Sequence, residues 1–149
     1  MEPRMNLGEV EPEAQQAVIG LEQYLAKTDL DHALKELVKI RASQMNGCAF
    51  CLDMHTKDAR KNGETEQRIY CLDAWRESPF YTDEERAALE LTEAVTLVSE
   101  THVPEDVYER ALKQFGEKKL AQLIMVITTI NVWNRIAITT RMEPGSYEA

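Results

Sequence analysis

Residues 45–55 read MNGCAFCLDMH and contain two of the chain's three cysteines and one of its three histidines. The Asn-Gly pair before the first cysteine favours a break between two helices. On a helix that begins near Cys48, Cys51 lies three residues further on and His55 four residues after that. Side chains at these spacings share one helix face. The segment therefore predicts one helical turn that groups two thiols and an imidazole.

Apolar residues on both sides of this segment recur at spacings of three and four, which is typical of amphipathic helices. Upstream, the pattern predicts helices over residues 11–27 and 31–45, with Asp31 as the N-cap of the second. The cysteine helix is predicted over residues 48–61, and a fourth helix over residues 64–78.

Further helices are predicted in the second half of the chain. Thr82 and Glu85 have the spacing of a capping box at the start of a helix over residues 84–100. The remaining pattern predicts helices over residues 103–116 and 120–138. We therefore predict an all-α fold of about six to seven helices, in a single domain spanning residues 1–149.

Composition narrows the classes of partner. The net charge is -9, and an acidic chain repels phosphate backbones and anionic lipid, so we predict neither nucleic acid nor membrane as a partner. The first residues lack the apolar core of a secretory signal, which favours a cytoplasmic protein. Polar residues interrupt the long apolar stretch at 120–138, so we predict a buried helix there and not a membrane span.

The sulfur chemistry leaves three alternatives open. Two thiols spaced as Cys-x-x-Cys can close into a disulfide, either in a catalytic redox site or in a non-catalytic redox sensor whose partner interface changes with the disulfide. Cys48, Cys51 and His55 could instead bind zinc, with Glu36 as a fourth ligand. The third alternative is that the cysteines are small buried hydrophobic residues, which is also the role we predict for Cys71 on the fourth helix.

Two features would lower the pKa of a thiol in this segment. The helix N-terminus favours a thiolate at Cys48, because unpaired backbone N–H groups attract negative charge. His55, one turn beyond Cys51, would accept the Cys51 proton. A histidine used this way needs a partner for its other nitrogen. Glu36, on the preceding helix, is a candidate if a short turn lays the two helices side by side.

The residues Glu36, Cys48, Cys51 and His55 resemble the signature of the alkylhydroperoxidase D-like branch of the carboxymuconolactone decarboxylase family. That signature is Glu, eleven residues, Cys-x-x-Cys, three residues and His, and all four positions match. Around it, LVKIRASQMNGCAFCLDMHTKDARKNG resembles the family core, and INVWNRIAITTR with PGSY resembles the closing helix of its smaller members. The resemblance covers roughly residues 10–145.

The resemblance implies an alkylhydroperoxidase D-like helical fold, a homo-trimer or homo-hexamer, and reduction of hydroperoxides by protein thiols without a cofactor or a metal. Carried over by position, Cys51 would attack the peroxide and Cys48 would resolve the product as a disulfide. His55 and Glu36 would relay the proton. An external dithiol would then reduce the disulfide, and in well-known relatives this dithiol is a lipoyl group on a dehydrogenase-complex protein.

The chain departs from some relatives at one position. Those relatives carry a histidine immediately before the second cysteine, where this chain has Phe50. Phenylalanine cannot move a proton, so the resemblance implies a relay with one member fewer. The decarboxylase branch of the family generally lacks the cysteine pair, so thiol chemistry is favoured over lactone decarboxylation.

Overall fold

A computed structural model describes residues 1–149. It contains eight α-helices, a 3-10 turn over Leu72–Ala74 and no strand. The helices are α1 (Leu7–Val10), α2 (Pro12–Leu25), α3 (His32–Asn46), α4 (Ala49–Lys61), α5 (Glu66–Tyr70), α6 (Asp83–Thr96), α7 (Val98–Thr101) and α8 (Glu105–Thr140). The predicted all-α class is confirmed, whereas the predicted count of six to seven helices is too low.

The observed helices differ from the predicted ones in three places. The helices α1 and α7 are four residues long and bury no side chain, so their sequences have no apolar periodicity that predicts a helix. The predicted helix over residues 64–78 ends early, at α5, and continues as the 3-10 turn. Conversely, the two helices predicted over residues 103–116 and 120–138 are joined in α8, across a non-helical Gly116 with φ 70° and ψ 168°.

The main hydrophobic core lies where α3, α6 and α8 meet, around Val38, Leu91 and Leu123. A second cluster fills the space between α3, α4, α6 and the 3-10 turn, and contains Leu37 and Trp75. A third and smaller cluster joins α8 to the start of α4 and includes both cysteines of the Cys-x-x-Cys segment. The cysteine turn is therefore part of the packed interior.

Helix α8 is long and apolar enough to cross a membrane by length and composition, with a window of mean hydropathy 1.3. Its contacts are those of a core helix, because it packs against α2, α3, α4 and α6. Asn134, in its second half, is fully buried, donates to the Ser43 hydroxyl and accepts from Asn46. These hydrogen bonds to α3 satisfy a polar side chain that hydrocarbon would leave unpaired. The helix has the buried position that the sequence predicted.

The turn between α3 and α4 sets the position of the cysteines. Asp31 caps α3 as predicted, accepting from the Leu34 N–H at 3.3 Å. The helix ends at Gly47, whose φ of 68° and ψ of 36° are left-handed, and the Cys48 N–H closes the end by donating to the Ser43 carbonyl. Since α4 starts directly after Cys48, and its His55 contacts Glu36 on α3, the chain folds back and the two helices form a tight hairpin.

Replacement of Gly47 by alanine should lower the free energy of unfolding by about 1–2 kcal/mol, the cost of left-handed backbone for a residue with a Cβ. An added Cβ would meet no atom within 4 Å, so strain is the only expected effect. Denaturant unfolding measures the change. Gly20→Ala is the matched control, because Gly20 lies in α2 with equally open space. It should stabilise by roughly 0.5–1 kcal/mol. Equal effects of the two substitutions on the free energy of unfolding would contradict the left-handed backbone at Gly47.

Candidate active site

The two sulfur atoms of the Cys-x-x-Cys segment are in contact. Cys48 is the N-cap residue of α4, and its Sγ accepts a hydrogen bond from the Cys51 N–H at 3.4 Å. The Sγ atoms of Cys48 and Cys51 lie 2.7 Å apart, and both residues are buried free thiols. Closing a disulfide between them needs only a small adjustment of the side chains.

The contact shifts the pKa values of the two thiols in opposite directions. The hydrogen-bonded contact with Cys51, against the opposing effect of burial, lowers the pKa of Cys48 to about 7. The same contact and burial raise the pKa of Cys51. Both directions favour a negative charge on Cys48, as the helix N-terminus does, over a negative charge on Cys51.

Glu36 and His55 form a buried pair between α3 and α4. His55 Nδ1 lies 3.0 Å from Glu36 Oε2, and the residues are 8% and 4% exposed. Burial by itself would raise the pKa of the Glu36 carboxyl. The hydrogen bond and charge of His55, aided by Lys39, outweigh burial and hold that pKa below its ordinary value. The structure thus joins these two predicted residues, but it contains no hydrogen bond between His55 and Cys51.

A cavity of about 560 Å³ opens beside this pair. Cys51, His55 and Glu36 line it, whereas Cys48 lies behind Cys51 and does not. Most of the remaining wall is apolar and comes from α4, α8 and the two chain ends, including Phe50, Met54, Trp133, Ile136 and Met142. A volume of this size accommodates a small organic molecule. Cys51 is therefore the sulfur that such a molecule meets.

Two residues of the cavity wall escaped the sequence reasoning. Lys39, on α3, places its Nζ 3.5 Å from Glu22 and 3.8 Å from Glu36. Trp133, on α8, donates its indole N–H to Glu22 at 3.1 Å, which fixes the ring against the cavity. Lys39 follows Glu36 by three residues and so shares its helix face, a spacing that would have indicated it.

A second missed contact comes from the end of the chain. The Tyr147 hydroxyl donates to Asp58 at 2.7 Å, and this hydrogen bond raises the pKa of Tyr147 to about 12. Lys57 donates to the Tyr147 carbonyl, and the Gly145 N–H donates to Asp53. The tail is thereby held along α4. No local pattern could have found this contact, because its partners are 89 residues apart.

The zinc set considered from the sequence is not assembled in this structure. The ligand atoms that do lie within 4.8 Å of one another belong to Glu36, His55 and Asp58, and this group contains neither cysteine. His55 directs Nδ1 to Glu36, and the two sulfur atoms contact each other. The geometry around the cysteines is that of a dithiol.

The chain belongs to the carboxymuconolactone decarboxylase family, whose model matches residues 12–94. This range is shorter than the resemblance over residues 10–145 that the sequence predicted, but it contains the whole Glu36, Cys48, Cys51 and His55 constellation. The fold and the sequence motif thus lead to the same family.

Relatives extend the match over nearly the whole chain. The uncharacterized protein YdfG of Bacillus subtilis (strain 168) is 49% identical over 138 residues, covering 93% of this chain and 94% of that protein. The crystal structure of Agrobacterium tumefaciens ATU0492, a protein of unknown function suggested to be the antioxidant defence protein AhpD, is 42% identical with a TM-score of 0.94. The superposition covers 98% of this chain and 100% of that one.

A more distant structure shares the fold. An uncharacterized peroxidase-related protein from Silicibacter sp. TM1040 gives a TM-score of 0.80 at 22% identity, and covers 91% of this chain and 72% of that one. Together with ATU0492 it confirms the predicted alkylhydroperoxidase D-like fold.

The acidity of Cys48 should depend on Cys51. In a Cys71→Ser background, thiolate absorbance near 240 nm should rise with a midpoint near pH 7, the pKa of Cys48. Cys51→Ala removes the sulfur contact, so the midpoint should move up toward the ordinary value of 9.0. A midpoint that Cys51→Ala leaves in place would contradict the assignment of the charge to Cys48.

Proposed function

We propose that this protein is a cysteine-dependent hydroperoxide reductase that also works as a thiol–disulfide oxidoreductase. The observation that carries the proposal is the position of Cys51, which faces a cavity with a second thiol 2.7 Å behind it and the Glu36–His55 pair beside it. Family membership and the peroxidase-related structural relative support the same chemistry. Each reaction step has a residue to perform it.

The first step is attack on the peroxide by Cys51. The thiol pair shares one proton across the sulfur contact, so this proton can pass to Cys48 as the Cys51 sulfur becomes the nucleophile. Its sulfur then bonds to the distal peroxide oxygen and the O–O bond breaks. Cys51 becomes a sulfenic acid, and an alkoxide leaves. His55, positioned by Glu36, relays the proton that the thiol pair has lost to the alkoxide, through one bridging water or directly.

The second step closes the disulfide. Cys48, now a thiol, attacks the sulfur atom of the Cys51 sulfenic acid. The S–S bond forms, the S–OH bond breaks, and the hydroxyl group leaves as water with the Cys48 proton. Two thiols have then been oxidised and one hydroperoxide reduced to an alcohol. An external dithiol restores the pair through a mixed disulfide, and a lipoyl protein is the donor class that the family resemblance supports. We also propose a homo-trimer or homo-hexamer on that resemblance.

Phe50 bears on the rate of the first step. It lines the cavity immediately before Cys51, where some relatives carry a relay histidine. The relay therefore has one member fewer, because phenylalanine cannot move a proton. We therefore propose that turnover is slower than in relatives with the additional histidine, and that exchange with dithiols is a larger part of the protein's activity.

Steady-state reduction of a hydroperoxide with dihydrolipoamide as the reductant tests the roles. Cys51→Ser should abolish turnover, since no other cysteine faces the cavity. Cys48→Ser should stop turnover after one sulfenic acid has formed, which dimedone will trap. His55→Ala and Glu36→Gln should each lower kcat by roughly 10²–10⁴-fold, the usual contribution of a positioned acid or base.

Cys71→Ser is the matched control, because Cys71 is a free cysteine of intermediate exposure that lies outside the cavity. Its turnover should equal that of the unmodified protein. Undiminished turnover in Cys51→Ser would exclude the proposed nucleophile. Elemental analysis tests the zinc-binding alternative, because stoichiometric zinc bound to the thiolates would leave no free sulfur for the reaction.

A further inference from the structure

We propose that Lys39 is a further catalytic residue, whose ammonium group donates a hydrogen bond to the oxygen that leaves the hydroperoxide. The inference rests on the proposed function and adds to it a residue outside the Glu-Cys-Cys-His constellation. It predicts that the contribution of Lys39 depends on the leaving group, and that it is larger for alkyl hydroperoxides than for peroxy acids.

The ammonium group of Lys39 has two charged partners but no hydrogen bond. The residue is only 8% exposed, and its Nζ makes two long ion pairs, at 3.5 Å to Glu22 and 3.8 Å to Glu36, but no hydrogen bond. An ammonium group has three N–H donors, and two long ion pairs leave it able to bind a further acceptor. Because Lys39 also lines the cavity, an oxygen atom of a cavity ligand would be such an acceptor.

A neighbouring lysine shows that this arrangement is not general on α3. Lys35 is buried to a similar extent, at 9% exposed, but its Nζ donates to the Leu25 carbonyl at 3.0 Å. It does not line the cavity. Lys35 therefore has the hydrogen bond expected of a structural lysine, whereas Lys39 lacks it and faces the space beside Cys51.

The helix hairpin places Lys39 near the reacting sulfur along its axis. Glu36 is level with His55, because the two are hydrogen-bonded across α3 and α4. The helices run in opposite directions, so three residues further along α3, about 4.5 Å, correspond to three residues earlier on α4. Three residues before His55 on α4 is Leu52, which is next to Cys51 in the sequence. Lys39 thus flanks the turn that carries the nucleophile.

The proposed reaction forms a negative charge that a lysine at this position would stabilise. When the Cys51 thiolate attacks the distal oxygen, the S–O bond forms, the O–O bond breaks, and sulfur loses two electrons to the peroxide. The electron pair of the broken bond stays on the proximal oxygen as an alkoxide. His55 supplies the proton that completes the alcohol. Lys39 would stabilise the charge before that proton arrives, as fixed donors do for developing oxyanions.

Leaving-group dependence tests the inference. Lys39→Met should lower kcat/KM for tert-butyl hydroperoxide by roughly 10²–10³-fold, the usual cost of removing one oxyanion donor. Peroxyacetic acid releases acetate, which needs no such help, so its kcat/KM should fall by less than about tenfold. Lys39→Arg keeps the charge and the donors and should recover part of the tert-butyl hydroperoxide activity.

Lys35→Met is the matched control and should leave the ratio of the two substrates unchanged. A uniform loss on both substrates in Lys39→Met would overturn the inference, since it would mean that Lys39 only balances the charges of Glu22 and Glu36. Failure of the unmodified protein to reduce either peroxide would instead overturn the proposed function, and the role of Lys39 with it. The two failures are therefore distinguishable.

Discussion

The hydrogen bond between Glu36 and His55 is the constraint on which the site depends. It is buried and joins the two arms of the α3–α4 hairpin, so it fixes how α4 lies against α3. A buried carboxylate without a partner would cost several kcal/mol, and His55 is the hydrogen-bonded partner of Glu36, with Lys39 at a longer distance. With this contact in place, Cys51 one turn earlier on α4 and Lys39 one turn later on α3 both face the same cavity.

The two cysteines differ in position and in acidity. Cys48 is the N-cap of α4 and lies behind its partner, and its pKa is lowered. Cys51 faces the cavity, and its pKa is raised. The two sulfur atoms are 2.7 Å apart, so a proton can pass between them. Phe50 keeps the approach to this contact apolar.

Sequence reasoning found the parts of the site that local spacing encodes. The cysteines and His55 lie within two turns of one helix, and the Thr82–Glu85 capping box and the Asp31 cap depend only on neighbours. The pairing of Glu36 with His55 was within reach because one short turn separates their helices. The tail contact of Tyr147 and the indole of Trp133 were not, since both depend on packing between distant parts of the chain.

Direct mapping of the oxidised thiols tests the central claim. Arg41 and Lys57 are cleavage sites for trypsin, so Cys48 and Cys51 fall on one peptide, residues 42–57, and Cys71 falls on another, residues 69–76. After one equivalent of alkyl hydroperoxide, mass spectrometry should find peptide 42–57 lighter by two hydrogens and the Cys71 peptide unchanged. Recovery of peptide 42–57 with both thiols free, even after excess hydroperoxide, would contradict the account.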